Sequence, residues 1–429
     1  MPKMRRVGVL VRVSIANTRK NVYNKRVYDF GALYPCLTKF PFYSDYCGCK
    51  MKTVLNFLGG YFKKLDKILP LICAALSVFD IFLVNSLYEN GLIAESVFKT
   101  QVYSVALGFC GAIIIGMIDY KLISKLWFVY APAALILQLL LFTPLGLQRD
   151  DDIAWLNLGF ITIQPSEILK LVFIMTLATH ISKVGDKLNS LPNVLLLCVH
   201  GMLPVGLIML QGDYGSALIF LFIFVCMMFV AGISWKYMIA AAAAVPPALY
   251  VVWNYVLAEH HKIRILVLFD EEVRQEQLLD KYLQQYRGQI ALGSGQLTGL
   301  GFHSDNYTNV PEIYNDFIFS YIGMTLGFIG CIAVVIALAV LCLKILSNAS
   351  AADDMLGKLI CVGVFALITF HCIINIGMVL SVMPTIGIPL PFLSTGGTAM
   401  IMMYAAIGLV LSTTTHKEKA KHMFYEEKD

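Results

Sequence analysis

The sequence predicts an all-α membrane protein of about ten transmembrane helices, with a large extracytoplasmic loop between helices 7 and 8. Hydrophobic residues make up 58% of the chain, charged residues only 14%, and the mean hydropathy is +0.72, well outside the range of soluble proteins. The apolar residues form runs about as long as a bilayer-spanning helix. The predicted spans are 68–88, 102–118, 125–146, 167–182, 193–210, 215–232, 237–257, 316–346, 356–381 and 395–413. The run at 316–346 is long enough to tilt or to project beyond the bilayer.

The distribution of basic residues predicts the orientation, because Lys and Arg collect in cytoplasmic loops. One side of the predicted bundle carries Lys52, Lys63, Lys64, Lys67, Lys121, Lys125, Lys183, Lys187, Lys236, Lys344, Lys358, Lys417, Lys419 and Lys421. The other side carries Glu89, Glu95, the run Asp150-Asp-Asp152 and Asp213. We therefore expect a multi-pass protein of the cytoplasmic membrane with both termini cytoplasmic and the loop 258–315 extracytoplasmic.

Residues 1–50 differ from the rest of the chain. They hold ten basic and two acidic residues, a net charge of +8 in a chain whose total is +5, so residues 51–429 carry −3. The segment lacks the apolar core of a signal peptide. Because Met51 stands just before the first span, we expect it to be the true start of translation. The alternative is a basic arm that binds the anionic cytoplasmic leaflet. Residues 51–415 then form the membrane domain, and 416–429 a charged cytoplasmic tail.

The eleven cysteines predict no metal site. Eight lie in or beside the spans, where a thiol is a small apolar filler. The only closely spaced pair is Cys47 and Cys49, with no His near it. We expect free thiols and no metal ligands.

The first string with chemical character is Trp-Leu-Asn-Leu-Gly-Phe-Ile-Thr-Ile-Gln-Pro-Ser-Glu over 155–167, followed by Lys170. Pro165 suits the first turn of a helix, where Ser166 and Glu167 can accept from exposed amides. Glu167 and Lys170 share one helical face and can pair. Ionisable residues at the end of a membrane helix are costly and often functional. The structural alternative is a helix cap followed by a lysine that reaches the interface.

Two further strings interrupt the spans. Gln-Gly-Asp-Tyr-Gly-Ser-Ala over 211–217 makes a tight break, where Asp213 serves a site or simply caps the next helix. Residues 384–397 hold three prolines and three glycines, which exclude a regular helix. Irregular backbone at this depth is tolerated only when it is buried in protein or lines a wet cavity. We therefore expect a re-entrant or interfacial loop beside a pocket, with a plain surface loop as the alternative.

The long loop carries Gly-Ser-Gly-x-Leu-x-Gly-x-Gly over 293–301 and Pro-Glu-x-x-x-Asp-Phe-Ile-Phe over 311–319. Together with Gln-Pro-Ser-Glu and the following Lys, Gln-x-Asp-x-Gly-Ser-Ala, and Pro-Leu-Pro-Phe-Leu-Ser-x-Gly-Gly, these five strings resemble the SEDS family, the RodA, FtsW and SpoVE proteins of the bacterial cell wall. They stand in family order and cover roughly 51–415. The Gly-Ser-Gly loop is more similar to the RodA branch.

The resemblance implies a peptidoglycan glycosyltransferase that polymerises lipid II into a β-1,4 glycan outside the membrane. A class B penicillin-binding protein would be its transpeptidase partner, and no nucleic-acid partner is expected. A carboxylate would act as general base towards the acceptor sugar. Lys, Arg or a divalent cation such as Mg²⁺ or Mn²⁺ would stabilise the leaving pyrophosphate. By motif match, the residues that line or support the cavity are Trp155, Gln164, Ser166, Glu167, Lys170, Asp213, Asp316 and Ser394.

The charged residues of the loop depart from the family pattern. The resemblance implies a catalytic Asp-Pro before a Gly-Tyr-Gln, and this chain has neither. The candidate bases are Glu276 and Asp280, which share a face if the stretch is helical, followed by Asp270; all three could instead belong to a solvated helix. Lys262 and Arg264 could meet a pyrophosphate or be ordinary interface residues. Met324-Thr325 replaces an acidic pair, Ala154 replaces an arginine, and Thr395 replaces a tyrosine.

These departures leave two other functions open. One is a SEDS-fold scaffold without catalysis, which binds lipid II or recruits a penicillin-binding protein. The other is a transporter of a lipid-linked precursor, since polar residues within spans also suit a translocation path.

Overall fold

The computed structural model describes residues 59–61, 64–149, 152–159, 162–280, 282–304 and 306–417. The predictions for residues 1–50 and for Met51 fall outside the described residues, as does most of the predicted tail. The chain divides into two compact units, and all that follows concerns the unit Gly59–Asp429.

Helices form most of the described structure, which confirms the predicted all-α membrane architecture. Nine of the helices in the described part of the chain are long and apolar enough to cross a membrane. In chain order the helices are α1 (Ile68–Glu89), α2 (Glu95–Met117), α3 (Tyr120–Lys125), α4 (Trp127–Leu139), α5 (Pro165–Val184), α6 (Leu191–Met209), α7 (Tyr214–Ala231), α8 (Trp235–Val251), α9 (Glu259–Leu266), α10 (Glu271–Glu276), α11 (Leu283–Ser294), α12 (Ile318–Ser350), α13 (Met355–Val379) and α14 (Gly397–Thr415).

The predicted span at 125–146 is shorter than expected. Its helical part covers only Trp127–Phe142, which at 1.5 Å per residue reaches about 24 Å, less than the hydrocarbon core of roughly 30 Å. Pro144 and Gly146 end the helix. The chain then enters a small antiparallel sheet of β1 (Gly146–Arg149), β2 (Asp152–Asn157) and β3 (Thr162–Ile163). Hydropathy alone did not reveal this sheet.

The core lies around α13 and α14, which are the most enclosed of the described spans. Helix α13 packs against α12, α7 and α5, whereas α14 packs against α2. In contrast, α8 has no buried residue. The helices that carry the predicted motifs thus surround α13, and the polar side chains of α13 face protein rather than lipid.

Helix α12 is two helices joined at a break, which explains the excessive length of the predicted span. Gly327 adopts φ 67° and ψ −164°, a conformation open to glycine and costly for other residues. The glycine-rich string 295–301 lies along this break. Leu300 and Gly301 donate their amides to the carbonyls of Met324 and Thr325 at 2.9 and 3.0 Å.

The same string also accepts hydrogen bonds from the second half of the helix. Phe328 and Ile329 donate to the carbonyls of Gln296 and Leu297 at 2.8 and 3.2 Å. The break therefore leaves these backbone groups paired, as an apolar environment requires. Gly295 allows the close approach, since a Cβ there would overlap the carbonyl oxygen of Gly323.

Replacement of Gly295 by Ala is expected to separate the string from the break and to destabilise the fold by roughly 1–3 kcal/mol or more through overpacking. Gly293→Ala is the matched control, because a Cβ at Gly293 has no neighbour within 4 Å and Ala favours the helix by about 1 kcal/mol. Thermal unfolding in detergent measures both variants. Equal melting temperatures for the two would contradict the proposed packing.

Candidate functional site

The irregular segment 384–396 is largely buried inside the protein, as the prolines and glycines predicted. Side chains from the surrounding helices hold its backbone. Asn375 donates through Nδ2 to the carbonyls of Ile388 and Asp316, both at 2.8 Å. Gln285 on α11 donates through Nε2 to the carbonyls of Met378 and Met383, at 2.8 and 2.9 Å. The segment is thus fixed in place by polar groups rather than by secondary structure.

Ser394, predicted to line the cavity, stabilises this segment internally. Its hydroxyl accepts from the amide of Leu390 at 2.7 Å, and the side chain is buried. Gln101 on α2 donates to the Ser394 carbonyl at 3.2 Å. Both the amide and the hydroxyl of Thr395 donate to the carbonyl of Tyr314, at 2.9 and 2.8 Å.

Four of the predicted residues lie on or next to elements that contact the turn 385–387, and we call Gln164, Asp213, Arg264 and Asp316 the polar cluster. Nε2 of Gln164 lies 3.5 Å from Oδ2 of Asp213. Arg264 donates through Nη1 to the carbonyl of Thr385 at 3.4 Å.

Two glycines mark where the carboxylate-bearing segments approach this turn, Gly387 within it and Gly215 in the first turn of α7. A Cβ at Gly387 would lie 3.6 Å from Oδ2 of Asp316, and a Cβ at Gly215 would lie 2.9 Å from the carbonyl of Ile386. Asp213 also caps α7, because its Oδ1 accepts from the amide of Ser216 at 2.9 Å. Asp213 therefore caps the helix, as the structural alternative predicted. Its other carboxylate oxygen, Oδ2, faces Gln164 in the polar cluster.

Asp316 has the most unusual environment in the cluster. Its Oδ1 is buried and has no hydrogen-bond partner among the described residues, although the residue as a whole remains partly accessible. The pKa of this carboxyl is raised to about 7, chiefly by burial and to a smaller extent by the negative charge of Glu312, while the positive charge of Arg264 opposes the shift. Asp316 thus changes between its acidic and basic forms near neutral pH, the condition that suits a general acid–base group.

A second buried group lies where α5 meets α13. Lys170 pairs with Glu167 at 2.7 Å, with side chains only 1% and 5% exposed. Nζ of Lys170 also lies 3.5 Å from Nε2 of His371. Because the carbonyl of Pro389 can only accept, Nδ1 of His371 donates to it at 3.1 Å, which leaves Nε2 as an acceptor for the lysine.

This arrangement corrects two expectations for the start of α5. Lys170 does not extend towards the interface, because it is fully enclosed. Neither Ser166 nor Glu167 caps the helix, since no side-chain hydrogen bond is made at its N-cap. The hydroxyl of Ser166 is buried without a partner among the described residues. His371 was not among the predicted site residues, although a histidine one turn before Asn375 in an apolar span was a usable signal.

The three loop acids lie at or just beyond α10, apart from any hydrogen bond with the polar cluster. Asp270 caps α10 and accepts from the amide of Glu272 at 2.9 Å. Glu276 and Asp280 are exposed, and neither makes a side-chain hydrogen bond or ion pair with the described residues. The helix ends at Glu276, so the expectation that Asp280 shares its helical face is wrong. Their catalytic role stays a prediction.

The remaining predicted residues occupy the edges of this region. Lys262 pairs with Glu259 at 2.8 Å on α9. Trp155 lies in β2 opposite Leu147, and the amide of Ile153 donates to the carbonyl of Gln211 at 3.0 Å. The sheet is therefore tied to the turn that carries Asp213.

Met324 and Thr325, at the position where the resemblance implies an acidic pair, are fully buried beside the break in α12. The Thr325 hydroxyl donates to the carbonyl of Tyr321 at 2.8 Å. An acidic pair at these positions would be buried. Methionine and threonine instead leave this part of the core uncharged, with the threonine hydroxyl hydrogen-bonded within its own helix.

The arrangement of fold and site defines a multi-pass helical membrane protein whose buried irregular segment positions carboxylates and an arginine. Comparison with known proteins gives the family. The sequence profile of the FtsW, RodA and SpoVE cell cycle proteins matches residues 63–419, and the chain belongs to this family.

Two similar proteins are named as peptidoglycan glycosyltransferases, one of them as a probable one. The peptidoglycan glycosyltransferase MrdB of Escherichia coli K12 is 26% identical over 82% of this chain and 94% of its own length. The probable peptidoglycan glycosyltransferase FtsW of Geobacter sulfurreducens is 30% identical over 83% of this chain and 97% of its own length.

Solved structures show the same fold. A chain of a peptidoglycan synthase complex matches with a TM-score of 0.69 at 23% identity, over 82% of this chain and 99% of its own. The rod shape determining protein RodA of Thermus thermophilus matches with a TM-score of 0.61 at 22% identity, over 82% of this chain and 98% of its own.

Loss of one partner of the buried Glu167–Lys170 pair is expected to be far more costly than loss of both. Lys170→Met leaves a buried carboxylate without its cation and should destabilise the protein by about 3–5 kcal/mol. The double variant Glu167→Gln/Lys170→Met should recover most of this loss, because no unpaired charge remains. Melting temperatures in detergent measure the difference. A double variant no more stable than Lys170→Met would show that the pair is not the source of the effect.

Proposed function

We propose that this protein polymerises lipid II as a peptidoglycan glycosyltransferase and forms β-1,4 glycan strands at the outer face of the bacterial cytoplasmic membrane. Family membership and the names of its relatives support the activity. The observation that carries the assignment to this chain is Asp316, whose Oδ1 is buried without a partner among the described residues and whose pKa is raised to about 7 by burial.

The chemistry requires a base at the acceptor hydroxyl and positive charge at the leaving pyrophosphate. In its carboxylate form, Asp316 takes the proton from the acceptor sugar hydroxyl as that oxygen attacks the anomeric carbon of the donor. The bond from this carbon to the pyrophosphate oxygen breaks, and the configuration inverts. Arg264, held against the Thr385 carbonyl, is placed to stabilise the negative charge that develops on the pyrophosphate.

The loop acids Glu276, Asp280 and Asp270 are the other candidates for the base. All three are exposed, and neither Glu276 nor Asp280 makes a side-chain hydrogen bond or ion pair with the described residues that would hold it in place for a substrate. Asp316 is favoured because burial raises its pKa to about 7.

A divalent cation is a further part of the proposal. With Asp316 serving as the base, the remaining oxygen donors in the polar cluster are the carboxylate of Asp213 and the amide oxygen of Gln164, and such oxygen ligands suit Mg²⁺ or Mn²⁺. When bound, the cation would supply positive charge at the pyrophosphate.

The proposed partner is a class B penicillin-binding protein, which would cross-link the strands. The similarity to a chain of a peptidoglycan synthase complex supports a partner of this kind. The proposed orientation keeps both termini cytoplasmic and the loop 258–315 outside, in line with the distribution of lysines.

The second candidate function is a scaffold that binds lipid II or a penicillin-binding protein without catalysis. The exposed positions of Glu276 and Asp280 favour it, as does the uncharged packing of Met324 and Thr325 where the resemblance implies acids.

Polymerisation of lipid II by the purified full-length chain, with its penicillin-binding partner present, distinguishes these functions. We expect glycan strands from the wild type and a loss of roughly 10²–10⁴-fold in rate for Asp316→Asn, the range of general-base catalysis. Glu276→Gln, Asp280→Asn and Asp270→Asn are the matched controls and should keep most of the activity.

Loss of activity in one loop variant, with Asp316→Asn active, would assign the base to that loop acid. No strands from the wild type, where a family relative works under the same conditions, would favour the scaffold.

The pH dependence provides a second test. Because only the carboxylate accepts a proton, the rate should rise with pH and reach half its maximum near pH 7, in line with the raised pKa of Asp316. Glu312→Gln removes a charge that raises this pKa, so the rise should shift to lower pH. Arg264→Gln removes a charge that lowers it, so the rise should shift to higher pH. Shifts in the same direction, or none, would exclude Asp316 as the titrating group.

A further inference from the structure

Three possible metal ligands converge outside the polar cluster. The ligand atoms of Asp152, His260 and His261 all lie within 4.8 Å of one another, and all three residues are partly buried. Nε2 of His261 lies 3.9 Å from Oδ1 of Asp152, and the two imidazole rings have centroids 3.9 Å apart. The three residues come from two elements that are distant in sequence, the strand β2 and the first turn of α9.

Neighbouring structure fixes this convergence. The Ile153 amide, next to Asp152, is bonded to the Gln211 carbonyl, which holds β2 against the turn before α7. Tyr214, at the start of α7, contacts the His261 ring edge-on with centroids 4.6 Å apart. The Tyr214 hydroxyl donates to the carbonyl of Val256 at 3.1 Å. The strand that carries Asp152 and the helix that carries both histidines are thus both attached to the turn before α7. The convergence of the three ligands therefore does not depend on a single flexible side chain.

The donor set selects the kind of ion. Two imidazoles and one carboxylate suit Zn²⁺ and related first-row ions, whereas Mg²⁺ prefers oxygen ligands alone. Tetrahedral coordination places ligand atoms roughly 3.3 Å apart. The three ligand atoms, now within 4.8 Å of one another, would need to move closer by at most about 1.5 Å. Three protein ligands leave a fourth position for water or for an oxygen of another ligand, the arrangement of an open site.

We infer that Asp152, His260 and His261 bind a divalent transition-metal ion such as Zn²⁺ or Co²⁺. Tyr214, which contacts His261, directly follows Asp213 in the sequence. It goes beyond the proposed glycosyltransferase activity, and binding there does not require that activity.

The test is a Co²⁺ titration of the full-length chain, purified in detergent without a histidine tag and freed of metal by a chelator. We expect one Co²⁺ per chain with the visible absorption of a tetrahedral complex, displaced by equimolar Zn²⁺ and not by equimolar Mg²⁺. His261→Ala and Asp152→Asn should each weaken binding by at least roughly 10-fold. The matched control His303→Ala removes an exposed histidine of the same loop and should bind as the wild type does.

Because His261→Ala removes a ring that packs on Tyr214, each variant is first compared with the wild type by melting temperature and elution volume. Asp152→Asn keeps the volume of the side chain and removes only its charge. Binding that is absent in the wild type, or equal in His261→Ala and His303→Ala, would overturn the inference. The titration uses no lipid II, so its outcome is independent of whether the chain makes glycan.

Discussion

The structure depends on one constraint, the need to pair the backbone of a helix-free segment buried at membrane depth. Each unpaired amide or carbonyl there costs about 1–3 kcal/mol or more, and residues 384–396 cannot form a helix that would pair them. Side chains of the surrounding helices form hydrogen bonds with these backbone groups instead. Asn375, His371, Gln285 and Gln101 each bond to backbone of this segment or its immediate flank. These amide and imidazole groups require α13, α11 and α2 to surround the segment, which sets the arrangement of the core.

The break in α12 also exposes backbone groups that must be paired, and they are paired in a different way. Here backbone pairs with backbone, since the string 295–301 supplies both donors and acceptors to the interrupted helix. Glycine is needed because the backbones of the string and of α12 lie so close together that a Cβ would not fit between them. The loop is thereby attached to the membrane helices at a fixed point. Asp316 lies two residues before α12, so the first half of the helix that the glycine string packs against also follows this carboxylate directly.

Much of the fold could be predicted from the sequence, because long apolar runs have one solution in a bilayer. The irregular segment was predictable from Pro384, Gly387 and their neighbours, and Asp213 was rightly placed at a helix start. The sheet β1–β3 was not predictable, because its strands have only four, six and two residues and the polar run 148–152 within it is typical of a loop. The enclosure of Lys170 was missed as well, since spacing shows that Glu167 can pair with it but not that His371, some two hundred residues later, lies beside both. Such contacts depend on tertiary packing, which local patterns do not contain.

The retained family strings differ in what they say about activity. The glycines of 295–301, Ser394 and Asn375 all have structural tasks that burial imposes, so an inactive scaffold would need them equally. Asp316 is different, because its carboxylate has a buried oxygen without a partner among the described residues and lies near a second acid, Glu312. An asparagine of the same shape would avoid the cost of that charge. The protein thus holds a carboxyl that its own packing disfavours, and the proposed proton transfer would account for this group where stability does not.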